Sequence, residues 1–149
     1  MASDPAAVHR EFSTRFFGEV WGLLDKTDRT SDDDERMIST CHASLAHWRL
    51  RADCGPRELS IGYWQLARVY AVLRQAENAR HYGSLCLAVS AAQPPFFLGY
   101  AHESLARAAK MAGDERVAAE HVEMGRKLAL AVTDADDRAM LEKDLQELV

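Results

Sequence analysis

The triplet Leu66-Ala67-Arg68 recurs as Leu105-Ala106-Arg107, 39 residues further along the chain. The match extends beyond the triplet. An alanine stands sixteen residues after Tyr63 (Ala79) and sixteen after His102 (Ala118), and each copy runs into a short turn, Arg74-Gln75-Ala76 or Gly113-Asp114-Glu115. Self-similarity at such a period is the mark of a supersecondary unit used more than once. One unit cannot bury its apolar face alone, so at least three usually stack.

The units are helical. Alanine occurs 24 times and leucine 16, against nine valines and two isoleucines, while glycine and proline together number 12. Alanine and leucine are strong helix formers, and the β-branched residues that favour sheets are scarce, which argues against an all-β fold and against a parallel α/β sheet. A hydrophobic fraction of 48% is too high for a disordered chain, and 149 residues suit one domain. The expected fold class is therefore all-α.

Apolar periodicity and breakers predict seven helices. The first runs over Pro5–Asp25, capped by Asp4, with an apolar stripe of Phe12, Phe16, Val20, Leu23 and Leu24. The second starts at Ser31, carries four acids in its first turn and reaches about Ala52, ahead of Gly55-Pro56. The others are expected over 57–75, 77–92, 96–111, 115–132 and 135–148, with Gln93-Pro94-Pro95 the strongest break. In the last, Leu141, Leu145 and Leu148 make the stripe together with Met140. The whole chain, 1–149, reads as one domain: a divergent helix pair over about 5–52, repeat pairs over about 57–92 and 96–132, and a closing helix over about 135–148.

The repeated unit resembles the tetratricopeptide repeat (TPR), a helix–turn–helix with the pattern W-x2-L-G-x2-Y…A-x3-F, in its short bacterial form. In the first unit Tyr63 stands at the Trp position, Leu66 at the Leu, Ala67 at the Gly, Tyr70 at the Tyr and Ala79 at the Ala. In the second, Leu105, Ala106 and Ala118 match, while His102 and Ala109 replace the aromatics. Gly83 and Val122 stand where the family has its later aromatic, and the period is 39 instead of 34. The resemblance implies antiparallel helix pairs stacked as a right-handed superhelix, with a C-terminal capping helix. Small residues would let helices approach closely, Gly18 and Ala43 doing so in the divergent first pair.

The resemblance also implies a concave surface, lined by the first helix of each pair, that binds peptides. By position it puts Trp64, Arg68, Tyr100, Glu103, Arg107 and Lys110 there. Arg68, Arg107 and Lys110 would make one strip of the groove cationic, able to hold a carboxylate or an acidic peptide segment. The expected function is thus a non-catalytic protein- or peptide-binding scaffold. Two alternatives stay open: self-association as a homodimer through the aromatic first helix (Phe12, Phe16, Phe17, Trp21), and a ligand sensor, metal binder or enzyme using histidines and cysteines. Trp21 and Trp48 fall near apolar stripes and are expected in the core.

A net charge of −5, with basic residues scattered among acids, argues against nucleic acid as a partner. Cys41, Cys54 and Cys86 form no CxxC and no disulfide framework, which fits a cytoplasmic protein; Cys41 and Cys86 lie on apolar stripes. Met1–Arg10 has no apolar leader core, and no stretch is apolar enough to span a membrane. HExxH, GxSxG, GxGxxG and the P-loop are absent, so no catalytic residue, metal site or cofactor is expected. His42 and His47 are five residues apart and diverge on their helix, leaving only a cross-helix cluster with His81 as a metal candidate. The acidic run Asp32–Glu35 points in several directions and reads as helix capping.

Overall fold

The computed structural model describes residues 4–149. Residues 1–3, part of the N-terminal stretch for which no leader is expected, lie outside the described residues. Seven α-helices follow one another: α1 (Pro5–Asp25), α2 (Ser31–Arg49), α3 (Pro56–Val72), α4 (Ala76–Ser90), α5 (Pro95–Met111), α6 (Glu115–Ala129) and α7 (Ala135–Gln146). No strand occurs among the described residues. No helix among them is long and apolar enough to cross a membrane.

Local chemistry fixes the ends. Asp4 caps α1 by accepting the Ala6 N–H at 3.1 Å, with Pro5 at the first position, where its missing N–H costs nothing. Helix α2 is capped by Thr30. The Thr30 hydroxyl accepts from the Asp33 N–H, and Asp33 accepts from the Thr30 N–H, each at 3.1 Å. Asp33 is thereby spent on the cap and on Lys26 at 2.7 Å, while Asp34 turns to Arg29 at 3.1 Å. The acidic run is distributed among different partners. Five helices (α2, α3, α4, α6 and α7) stop two or three residues before the ends that periodicity predicts. Their last residues form capping turns, such as Leu50 N–H to His47 O at 3.2 Å, which apolar spacing does not register.

The two turns matched in sequence are the same structure. In one, the Gln75 N–H bonds to Tyr70 O and the Arg74 N–H to Ala71 O; in the other, Asp114 bonds to Ala109 O and Gly113 to Lys110 O. Both are Schellman closures, and both need a left-handed residue, Arg74 at φ 59° and Gly113 at φ 78°. Pro56, Pro95 and Ala135 open α3, α5 and α7 at intervals of 39 and 40 residues. The sequence period is thus a backbone period.

The core runs through the molecule between successive helices. Val20, Met37, Cys41, Leu66, Val69 and Cys86 form its larger part, and Tyr100, Ala129, Leu141 and Leu145 a second part under α7. Close approach is made by glycines facing leucines. A Cβ at Gly62 would lie 2.7 Å from Leu45 Cδ1, one at Gly99 2.6 Å from Leu141 Cδ2, and one at Gly125 2.8 Å from Leu145 Cδ2. Gly18 has no such role: no atom lies within 4 Å of a Cβ built there, because this face of α1 points into open space. Met140 also leaves the stripe expected of it. It is exposed on the side of α7 away from Leu141 and Leu145.

Ala67, Ala79, Ala106 and Ala118 are all buried. Enlarging one leaves no room without backbone movement. Ala67→Leu and Ala106→Leu are each expected to lose roughly 1–3 kcal/mol in urea unfolding, whereas Gly18→Ala, in open space on a helix, is expected to lose nothing.

Candidate interaction groove

Helical spacing sets the site. On α3, Ile61, Trp64 and Arg68 fall at i, i+3 and i+7 and share one face; on α5, Phe96, Tyr100, Glu103 and Arg107 do the same. Helix α1 adds Phe17 and Trp21, and α7 adds Met140 and Asp144. The four helices enclose an open depression of about 370 Å³. Its wall is a chain of aromatic contacts. Trp21 meets Trp64 at 5.6 Å between ring centroids, Trp64 meets Tyr100 edge-on at 5.3 Å, and Tyr100 meets Phe96 edge-on at 5.1 Å.

Beside this depression lies an ion network centred on Glu103, whose side chain has no exposed surface. Trp64 Nε1–H donates to Glu103 Oε2 at 3.1 Å. Arg68 Nη2 donates to Oε1 at 3.3 Å and Arg107 Nε to the same oxygen at 2.8 Å. Arg107 Nη2 also sits 2.6 Å from Oε1 but off the hydrogen-bond axis, so that contact is Coulombic. Helix α7 and its C-cap residue bring two more carboxylates. Asp144 Oδ2 accepts the Tyr100 hydroxyl at 2.8 Å and lies 3.6 Å from Arg68, and Glu147 lies 3.6 Å from Arg107. Burial pushes the Tyr100 phenol far above its ordinary range, and the bond to Asp144 adds to the shift, so Tyr100 remains a donor.

The structure brings the six expected residues together, in different roles. Trp64, Tyr100 and Arg68 line the aromatic depression. Arg68, Arg107 and Lys110 border a second hollow. Glu103 lies beneath both, out of reach of a ligand. The cationic strip expected along these helices is neutralised from within for its two arginines, because Glu103, Asp144 and Glu147 stand against them. Sequence reasoning missed Phe17, Ser60, Ile61, Phe96, Phe97, Met140 and Asp144, and it assigned Trp21 to the core, where the structure has it half-buried on the depression. The spacing of Phe17 with Trp21 and of Met140 with Asp144 is the signal that was available. Trp48 is half-buried beneath the Arg51 guanidinium, 3.9 Å from its ring.

The titratable groups elsewhere do not converge on one point. His42 Nε2 meets the Tyr70 hydroxyl at 2.8 Å, His47 pairs with His9 at 2.9 Å, and His81 packs on Tyr82. Among the described residues no group of three or more His, Cys, Asp or Glu side chains is placed to hold a metal ion. Burial pushes the Cys41 thiol up to about 12 and the Cys86 thiol up to about 11, and it raises Cys54 as well. No family model, curated protein or solved structure matches the chain.

Two expectations follow from these contacts. Glu103→Ala leaves two largely buried guanidinium groups facing each other, so a loss of about 3 kcal/mol or more is expected in denaturant unfolding. The second concerns pH. His102 Nδ1 and His121 Nδ1 lie 3.0 Å apart, and both imidazoles are held below their ordinary range, chiefly by burial. His42 is lowered by burial too. The unfolded chain then takes up protons near pH 6.5 that the folded chain refuses. Stability is complete above that pH and declines as pH falls below it. The melting temperature is expected to drop between about pH 7 and about pH 5, with a shallower fall in His121→Gln.

Proposed function

We propose that this chain is a non-catalytic, TPR-like interaction module whose concave face, built by α1, α3, α5 and α7, receives a segment of a partner polypeptide. The observation that carries this reading is the open aromatic depression itself, with Ile61 36% and Met140 53% exposed at its rim. A contiguous apolar surface exposed to water is costly to maintain and marks a place where something docks. The shared Schellman turns and the recurrence of α3, α5 and α7 at near-equal intervals support the stacked-pair architecture behind this reading.

A catalytic role has less support. Two of the three thiols are buried and protonated at neutral pH, and the third, Cys54, is held above its ordinary range by burial and by the nearby Glu58 and Asp53 carboxylates. Self-association through α1 also has little free surface to use. Phe12 and Phe16 pack on His47, and Phe17 and Trp21 turn into the depression.

Selection of random displayed peptides against the wild-type protein, followed by titration against an Ile61→Glu/Met140→Glu variant, tests the proposal. Both positions are exposed, so the variant should keep its circular dichroism and melting temperature. Selected peptides are expected to bind the variant at least about tenfold more weakly; equal affinity would remove the concave face as the docking surface.

A further inference from the structure

Charge decides what kind of segment fits. Most polar groups bordering the aromatic depression already have an internal partner: Trp64 N–H is spent on Glu103, the Tyr100 hydroxyl on Asp144, and the Ser60 hydroxyl on Ser90 at 2.7 Å, while Arg68 Nε is buried without one. Arg68 is held by Glu103 and Asp144 together. A carboxylate entering the depression would displace or oppose Asp144, and an ammonium group would meet Arg68. Either charge would lose its water, and the unpartnered Arg68 Nε has almost no exposed surface with which to meet a carboxylate. The Arg68 guanidinium also lies 5.3 Å from the centroid of the Trp64 ring, so a cation of this chain already occupies that aromatic surface.

The arginines also form one wall of the second hollow. This hollow, about 290 Å³, is lined by Arg68, Arg107, Lys110 and Glu147 on its charged side and by Ala71, Val72, Met111 and Leu148 on its apolar side, with Val72 and Met111 partly exposed. Ile61 and Val72 lie eleven residues apart on α3, about 16 Å at the helical rise. The concave face therefore presents an aromatic depression, a self-neutralised crossing of arginines and carboxylates, and an aliphatic hollow, in that order.

We propose that the partner segment docks through two uncharged apolar anchors, an aromatic side chain in the depression and an aliphatic one in the hollow, and makes no ionic contact with Arg68 or Arg107. This rests on the interaction reading above and deepens it. An extended segment with its anchors about five residues apart spans the distance. A small apolar molecule would fill one recess, whereas a polypeptide bridges both and gains from the linkage. Lys110, at the border of the hollow, has no carboxylate within bridging distance among the described residues, so it is where an anionic alternative would show itself.

The test uses the full chain and three capped peptides, each with Phe and Leu separated by four Gly/Ser residues: one uncharged, one flanked by Asp, one flanked by Lys. Isothermal titration at about 0.05 M and about 0.5 M salt reads the electrostatic share of the affinity. The uncharged peptide is expected to bind with a Kd that salt does not weaken, to bind more tightly than its Phe-only and Leu-only versions, and to lose about tenfold on Ile61→Glu/Met140→Glu. An Asp-flanked peptide at least about tenfold tighter, with the advantage lost at high salt, would overturn the inference in favour of Lys110 and the arginines; a Lys-flanked peptide behaving so would overturn it in favour of Asp144. Both results would leave the interaction reading intact provided binding stays sensitive to the rim variant. Rim-insensitive binding, or none by any of the three, would remove the inference and the docking surface together.

Discussion

Glu103 has no surface of its own, and a carboxylate so placed is tolerable only because its surroundings are arranged for it. Two arginines and an indole N–H converge on its oxygens, and they come from two helices. The period explains how. Trp64 and Glu103 are 39 residues apart, and so are Arg68 and Arg107. Equivalent arginines of neighbouring units thus meet at one carboxylate, which stands where the preceding unit has tryptophan. The contact fixes the register of α3 against α5 and holds Trp64 in the orientation that shapes the aromatic depression.

That same network determines the electrostatic character of the concave face. Arg68 and Arg107, read along their own helices, are a cationic strip. Asp144 of α7 and its C-cap Glu147 each lie 3.6 Å from one of them, so with Glu103 three carboxylates stand against the two arginines. Helix α7 reaches that position because it is seated by shape. Leu141 and Leu145 project into the gaps left by Gly99 on α5 and Gly125 on α6, where a Cβ would collide. Dispersion contacts place the helix, and its outward residues then complete both the ion network and the rim of the depression.

Much of this was legible in the residues. Ala and Leu content with few β-branched residues dictated helices, and breakers and capping residues located all seven within a few residues. The recurrence of Leu-Ala-Arg marked two units whose turns prove identical hydrogen-bond for hydrogen-bond. The resemblance to the tetratricopeptide repeat put Trp64, Arg68, Tyr100, Glu103 and Arg107 on one surface, and the faces of α3 and α5 that carry them do meet. What escaped were the contributions of α1 and α7, and of Ile61, Phe96 and Phe97 on α3 and α5. Trp21 and Met140 fall beside leucine and valine in periodic stripes, and periodicity alone cannot say which flank of a stripe is covered by a neighbour. Gly18, a contact point by the repeat resemblance, faces open space.

Sequence by itself determined the helices, their caps, the repeat and the one-dimensional order of charges, because each depends on residues within a few turns of one another. Tertiary structure decided the sign of the groove and the identity of its walls. Whether Arg68 and Arg107 are free or neutralised depends on Asp144 and Glu147, whose approach is set by the fit of leucines into glycine gaps between helices distant in the chain. Charge–charge interaction depends on separation in space, and that separation is fixed only when the last helix packs.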